Sequence, residues 1–324
     1  MPKSFLLMFT LSSCLCAAAQ STPLPDPQIF APGIISGPAN DGAPTFSPDG
    51  NTLFFTRSAA HWSVILESHK LNGAWSKPTL ASFSGEWPDS SPAMSPDGSY
   101  IVFQSTRPLI PLVTPPKPGV PIPGIVSNLW RVDRTTSGWT QPVRLPDTVN
   151  IGHSIWKPTI AANGDIYFTW IDDKGSKRLF VSERTSGQYQ TAKPLPFSDG
   201  STLDVDPEIA PDGSFIVFCS AGRLPGDPHD RLFLVHREGA NWGKVQQIRY
   251  ADDEKPYGPS TDDEPRLGPD HRTLYFSSDR TLSVHFPRTH EQAQHDLDRL
   301  EIWDNSNSNV WSLSLSPWLA PATR

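Results

Sequence analysis
Apolar residues along this chain come in short continuous runs, not in the three-to-four spacing of a helical stripe. Leu53-Phe54-Phe55, Ile101-Val102-Phe103, Ile166-Tyr167-Phe168, Ile216-Val217-Phe218 and Leu274-Tyr275-Phe276 predict strands buried on both faces. A tight turn precedes each triplet. Three turns are written Ser47-Pro48-Asp49-Gly50, Ser95-Pro96-Asp97-Gly98 and Ala210-Pro211-Asp212-Gly213, and two are degenerate, Ala161-Ala162-Asn163-Gly164 and Gly268-Pro269-Asp270-His271. Proline presets φ, Asp bonds nearby backbone and Gly accepts positive φ, so each is a turn with a mechanism. A short strand enters every turn, led by Pro44, Pro92, Pro158, Pro207 and Pro265.

A third strand follows at Val64-Ile65-Leu66, Leu129-Trp130-Arg131-Val132, Leu179-Phe180-Val181, Leu232-Phe233-Leu234-Val235 and Val310-Trp311-Ser312-Leu313. A fourth begins at Trp75, Trp139, Tyr189 and Trp242. The turn glycines, with His271 in the fifth place, are separated by 48, 66, 49 and 58 positions, which is a period near 48 with two insertions. Four antiparallel strands per period predict an all-β fold, a five-bladed β-propeller, with six blades as the alternative. The fifth repeat runs out after its third strand. Residues 29–36 are expected to supply the missing strand and close the ring, which removes the open edges of a linear array.

The recurrent Ser-Pro-Asp-Gly, with endings such as Phe103-Gln104-Ser105-Thr106-Arg107 and Phe276-Ser277-Ser278-Asp279-Arg280, resembles the TolB-like propeller repeat family, of the broader WD-like type. The likeness covers about residues 29–318. It implies a binding or scaffolding module of the bacterial envelope. The family's founding architecture is a six-bladed ring behind a separate α/β domain, whereas five repeats are counted here.

Composition sharpens this picture. Proline, at 35 of 324 residues, excludes a chain of long helices, and 37% hydrophobic content with 11 Trp excludes global disorder. A formal charge of −7 gives no attraction to polyphosphates, so nucleic acid is not an expected partner. Residues 1–19 read as an export signal: Lys3, an apolar run, then Ala17-Ala18-Ala19. Two fates stay open: cleavage after Ala19 to a soluble periplasmic or secreted protein, or lipidation at Cys14 within Leu11-Ser12-Ser13-Cys14 to an anchored lipoprotein. A proline-rich spacer at 20–28 precedes the propeller, and a tail at 319–324 follows it. Only Cys219 remains in the folded body, read as a small buried hydrophobe.

The loops before the first strand and between the second and third strands share one face of a propeller. They carry Asp41, Asp89, Asp204 and Asp262, with Arg57, Arg107, Arg223 and Arg280. One reading makes these acids and arginines architectural ion pairs. The other brings Asp89, Asp204 and Asp262 to the channel mouth with Arg107 and Arg280 as a ligand site. Asp206, Glu208, Asp263 and Glu264 are further carboxylates there; oxygen ligands would suit Ca²⁺, but no contiguous calcium loop is present and no cofactor is expected. Trp87, Trp156, Trp170 and Tyr257 break the repeat on the same face and are the candidate aromatic contacts for a glycan or protein.

Both insertions also fall there: a proline-rich arm at 108–127, and 285–302 with a helix over 291–300. His290 and His295 are five apart, not the four that a zinc-protease helix needs. No nucleophile elbow, phosphate loop or dinucleotide fingerprint occurs. The expectation is therefore a non-enzymatic module that binds an envelope protein or glycan; a carbohydrate-active hydrolase or lyase using acids near the channel is the alternative.

Overall fold
The computed structural model describes residues 24–60, 62–109, 126–152, 154–250 and 260–319. The segment read as an export signal, Cys14, nearly all of the proline-rich arm, Tyr257 and the last residues of the tail lie outside the described residues.

Five small antiparallel sheets follow one another along the chain. Their inner strands are Asn40–Phe46, Asp89–Met94, Ile155–Ile160, Leu203–Ile209 and Asp262–Leu267. Second strands Thr52–Ala59, Tyr100–Ser105, Ile166–Ile171, Phe215–Ala221 and Thr273–Ser278 contain the apolar triplets. Third strands Trp62–Leu71, Asn128–Thr135, Lys177–Ser182, Arg231–Glu238 and Asn309–Ser314 complete a meander in each blade. The molecule is a five-bladed β-propeller. Its apolar clusters lie between blades: Phe54 and Ile65 of the first pack with Met94, Ile101, Phe103 and Val132 of the second, which is why both faces of the second strands are apolar.

The Pro-Asp-Gly turns form as read. Ser95 Oγ donates to Asp97 Oδ1 at 2.6 Å, and the same oxygen accepts the Ser99 N–H at 3.0 Å, which holds the Asp97 carboxyl down at about 2. The blade edges differ from the expected single fourth strand. Ala74–Trp75, Gly138–Trp139 and Asn241–Trp242 are two-residue hairpin arms, and a second short segment, Thr79–Leu80, Val143–Arg144 or Gln246–Gln247, pairs further back along the third strand. In the third blade Gln188–Tyr189 pairs instead with Arg184–Thr185, and Lys193–Pro194 takes the outer place. Prolines and glycines between the halves break the edge.

Ring closure is shorter than 29–36. Gln28–Ile29 pairs antiparallel with Asn309–Ser314, Gln28 opposite Ser312 and Ile29 opposite Trp311, and the Phe30 N–H reaches Val310 O at 2.9 Å. Beyond it Ala31 and Gly33 take positive φ, so the chain turns before Ser36 instead of running on as a strand. Phe30 plugs the seam, 4.9 Å from the Tyr275 ring of the fifth blade and 6.1 Å from Trp75 of the first. The insertion helix spans His290–Ile302, with Thr289 and Gln292 forming a capping box.

Every inner strand carries the same bulge, at Gly42/Thr45, Ser90/Ala93, Trp156/Thr159, Val205/Glu208 and Asp263/Arg266. The residue before each leading proline takes left-handed φ: Ala43 at 46°, Ser91 at 51°, Lys157 at 53°, Asp206 at 55° and Glu264 at 51°. The inner strand tolerates proline because its channel side has no ladder partner to lose, and the bulge re-aims the preceding residue.

Candidate functional site: the channel mouth on the loop face
Two layers of charge sit on this face. The outer layer is the repeated Asp and Arg. Arg57 donates to Asp41 at 2.6 Å, Arg107 to Asp89 at 3.2 Å, Arg223 to Asp204 at 2.6 Å and Arg280 to Asp262 at 2.7 Å. All four carboxylates are fully buried. Three of the arginines also bond the carbonyl of the connection arriving at their blade, Ile35 O, Phe83 O and Phe197 O. Each guanidinium lies over a second-strand Phe, at 5.1 to 5.6 Å from the ring centroids of Phe55, Phe103, Phe218 and Phe276. The unit staples the first, second and fourth blades to their incoming connections; the third blade has Ile155 at the Asp position. Burial raises the Asp41 and Asp89 carboxyls, and their arginines oppose that rise. Of the residues named for a ligand site, Asp89 pairs with Arg107 and Asp262 with Arg280 inside the blade, and Asp204 pairs likewise with Arg223.

The channel is lined instead by the bulge residues. The Lys157 ammonium of the third blade donates to the Glu264 carboxylate of the fifth, across the front of the fourth. Glu264 also accepts from Ser277 Oγ at 2.7 Å and rests against Gly42 of the first blade. Backbone N–H groups at the bulge normally donate to a hydroxyl of the preceding blade: Ser91 to Thr56, Asp206 to Thr169, Ala43 to Ser277. In the fourth blade that position is Cys219, a poor acceptor, and the Glu264 N–H goes to Asp206 Oδ2 at 3.2 Å.

Around this knot stand Asp263, Asp230 and Lys177, all half-buried. Loss of water raises Asp263 to about 8, with Asp206 adding to the rise and Lys157 opposing it. Asp206 and Asp230 are raised by burial as well. The Lys177 ammonium lies 5.8 Å from the centre of the Trp156 ring. Blades three to five thus present four carboxylates, two lysines and an indole, while the matching positions of blades one and two are Gly42, Ala43, Ser90 and Ser91. The mouth is lopsided: one wall charged, the other small. Among the described residues no group of three or more His, Cys, Asp or Glu is arranged to hold a metal ion, and Lys157 supplies the positive charge within the knot.

Of the aromatic candidates, the structure brings Trp156 to this mouth. Trp170 packs 5.1 Å from Phe180 in the core of the second and third blades, and Gly152 backs directly onto its indole. Trp87 stands half-buried on the connection from the first blade to the second. Asp206, Asp263 and Glu264 were legible as extra carboxylates; Lys157, Lys177 and Asp230 were not. The column of residues before the leading prolines, Ala, Ser, Lys, Asp and Glu, is the signal that finds Lys157.

Neither a family model nor a curated protein matches the chain. Solved structures do resemble it. TolB of Acinetobacter baumannii aligns at 14% identity over 85% of this chain and 54% of its own, with a TM-score of 0.48. A protein of unknown function from Dyadobacter fermentans aligns at 13% identity over 89% and 97%, TM-score 0.49. A thermostable family-43 glycoside hydrolase aligns at 12% over 77% and 86%, TM-score 0.49. This chain spans about half the length of the Acinetobacter TolB. Likeness at this level goes no further than the fold, and the blade count is read from the sheets themselves. No helix among the described residues is long and apolar enough to cross a membrane.

Proposed function
We propose that the protein is an exported, non-enzymatic TolB-like binding propeller of the bacterial envelope, and that it recognises a hydroxyl-rich glycan at the loop-face channel mouth. The lopsided mouth carries this reading. A scaffold needs no more than the small residues of blades one and two at the bulge positions, yet blades three to five hold charged groups there that break the repeat. Carboxylates and ammonium groups accept from and donate to sugar hydroxyls, and Trp156 offers a face to stack on. Trp87, Asp89, Asp204, Asp262, Arg107 and Arg280 enter this reading as the frame around the mouth. Tyr257, which lies outside the described residues, is retained as a proposed contact on its sequence alone.

The test is binding of the mature protein to fractionated envelope glycans and to an envelope protein extract. Trp156→Ala and Asp263→Asn are expected to lower glycan binding about tenfold each while the fold is retained. Wild-type binding by both variants would overturn the reading, and capture of protein alone would redirect it. One observation favours hydrolysis as a second reading. Asp263, raised to about 8 with Asp206 near enough to add to the rise, offers a protonated acid with a second carboxyl group close by, the residue types that glycoside cleavage uses. Release of reducing ends by the wild type, abolished in Asp263→Asn, would establish it.

A further inference from the structure
The opposite end of the channel, on the Pro-Asp-Gly face, holds a cavity of about 180 Å³ lined by residues of all five blades. Its collar is apolar, with Pro48, Pro96, Pro211 and Pro269 contributed by four of the turns. Its floor is polar. Arg266, the largest fully buried side chain among the described residues, crosses the channel there. It donates to the carbonyls of Pro158 and Pro207 and, at 3.3 Å, to Glu208. Its Nε has no hydrogen-bond partner among the described residues.

A second ring of hydrogen bonds explains what else is left over. Two residues past each left-handed position stand Thr45, Ala93, Thr159, Glu208 and Arg266. Thr45 Oγ1 accepts the Met94 N–H at 3.0 Å, Thr159 Oγ1 the Ile209 N–H at 3.4 Å and Glu208 Oε1 the Leu267 N–H at 2.9 Å. Each is a side chain of one blade serving the next. Ala93 and Arg266 cannot accept. The N–H groups they should serve, on Ile160 and Phe46, find no acceptor among the described side chains. Ladder alternation turns both away from their second strands: the Ala161 N–H bonds Asp165 O and the Ser47 N–H bonds Thr52 O, so the residues before them point their N–H groups into the channel. Phe46, Ile160 and Arg266 all line this cavity.

Buried donors without acceptors are costly, and three of them meet at this one cavity. Glu208 faces the same floor, but its oxygens are taken by Thr159, Leu267 and Arg266 and are not offered to a ligand. We propose that the turn-face mouth binds the carboxylate of a small aliphatic acid, held by the Phe46 and Ile160 N–H groups and Arg266 Nε, with its alkyl part against the proline collar. The acid is either free or the C-terminus of a peptide ending in a small apolar residue.

Calorimetric titration with valerate, valeramide, and a short peptide ending in valine as free acid or amide tests this. The acids are expected to bind at least tenfold more tightly than their amides; tighter valerate identifies a free acid, tighter peptide a chain terminus. Ala93→Thr restores the missing acceptor for the Ile160 N–H in the manner of Thr45 and Thr159. It should leave the melting temperature equal or higher and weaken acid binding about tenfold. Arg266→Met should abolish binding. No binding of either acid at millimolar concentration, or acid and amide binding alike, overturns the proposal. So does unchanged affinity in a folded Ala93→Thr. These outcomes do not depend on the loop-face reading, which involves the other end of the channel.

Discussion

Asp263 is a carboxyl that the folded chain prefers to keep protonated near neutral pH. Its folded value of about 8 lies above the ordinary value of 3.8, so between those two the native state holds more protons than the unfolded one. Stability contributed by the protonated group is therefore full below about 3.8, falls as pH rises from there, and is gone once pH has passed about 8. Thermal melts from about pH 6 to pH 9 should show a falling midpoint that Asp263→Asn flattens; a parallel fall in the variant would assign the loss elsewhere. Gly42 is constrained by the same knot. It has no left-handed φ to excuse it, but a Cβ there would overlap the Glu264 carboxylate and Ser277 Oγ, so Gly42→Ala is expected to destabilise by about 1–3 kcal/mol, read by urea denaturation. At this scale legibility is uneven. Cys219 was readable as a buried apolar residue within Phe215–Ala221, and burial does push its thiol up. Its deeper role, a hydroxyl position filled by a poor acceptor, follows from register. Only the bulge reveals which side chain faces which blade.

Within a blade, the decisive question is what an Asp and an Arg sixteen to nineteen residues apart do when both are inside. Asp89 is fully buried and Arg107 nearly so, and the guanidinium also lies over Phe103 and Trp130. Removing one partner leaves the other uncompensated, which costs about 3–5 kcal/mol, whereas replacing both with apolar groups costs far less. Arg107→Met should therefore be much more destabilising than Asp89→Leu/Arg107→Met together, measured by urea denaturation of the single and double variants. Additive losses would argue against a staple. Sequence periodicity located both residues, since repetition itself marks them. Their direction was hidden because strand alternation alone does not say whether an inner-strand side chain looks toward the channel or back into the blade. The two-residue outer strands were invisible for a related reason: a single Trp or Tyr marks the hairpin, but the segment that resumes pairing after the break has no apolar signature.

For the molecule as a whole, stability depends on closing a ring whose last blade borrows a strand from the start of the chain. The five repeats, their order and the need for that loan were readable because each unit repeats its own turn chemistry. The length of the closing strand was not, since Ala31 and Gly33 turn the chain by backbone conformation in a stretch that still looks apolar. Two backbone pairs and Phe30 hold the seam between the fifth and first blades. Opening it exposes third-strand edge, which invites pairing with another copy. Phe30→Ala, at a half-buried position, should cost about 2 kcal/mol, somewhat less than a fully buried Phe. The register itself can be tested covalently. Gln28 and Ser312 are directly opposed, a separation that a disulfide can span, and the loop it closes encompasses nearly the whole propeller. With Cys14 and Cys16 changed to Ser, Gln28→Cys/Ser312→Cys should oxidise quantitatively as a monomer, because buried Cys219 offers no competing thiol. Loop-closure entropy then predicts about 5–6 kcal/mol of stabilisation over the reduced form. A rise in melting temperature abolished by reductant would fix this pairing. Free thiols in the folded monomer, or cross-linked dimers in their place, would mean that the ring closes in another register or through a second chain.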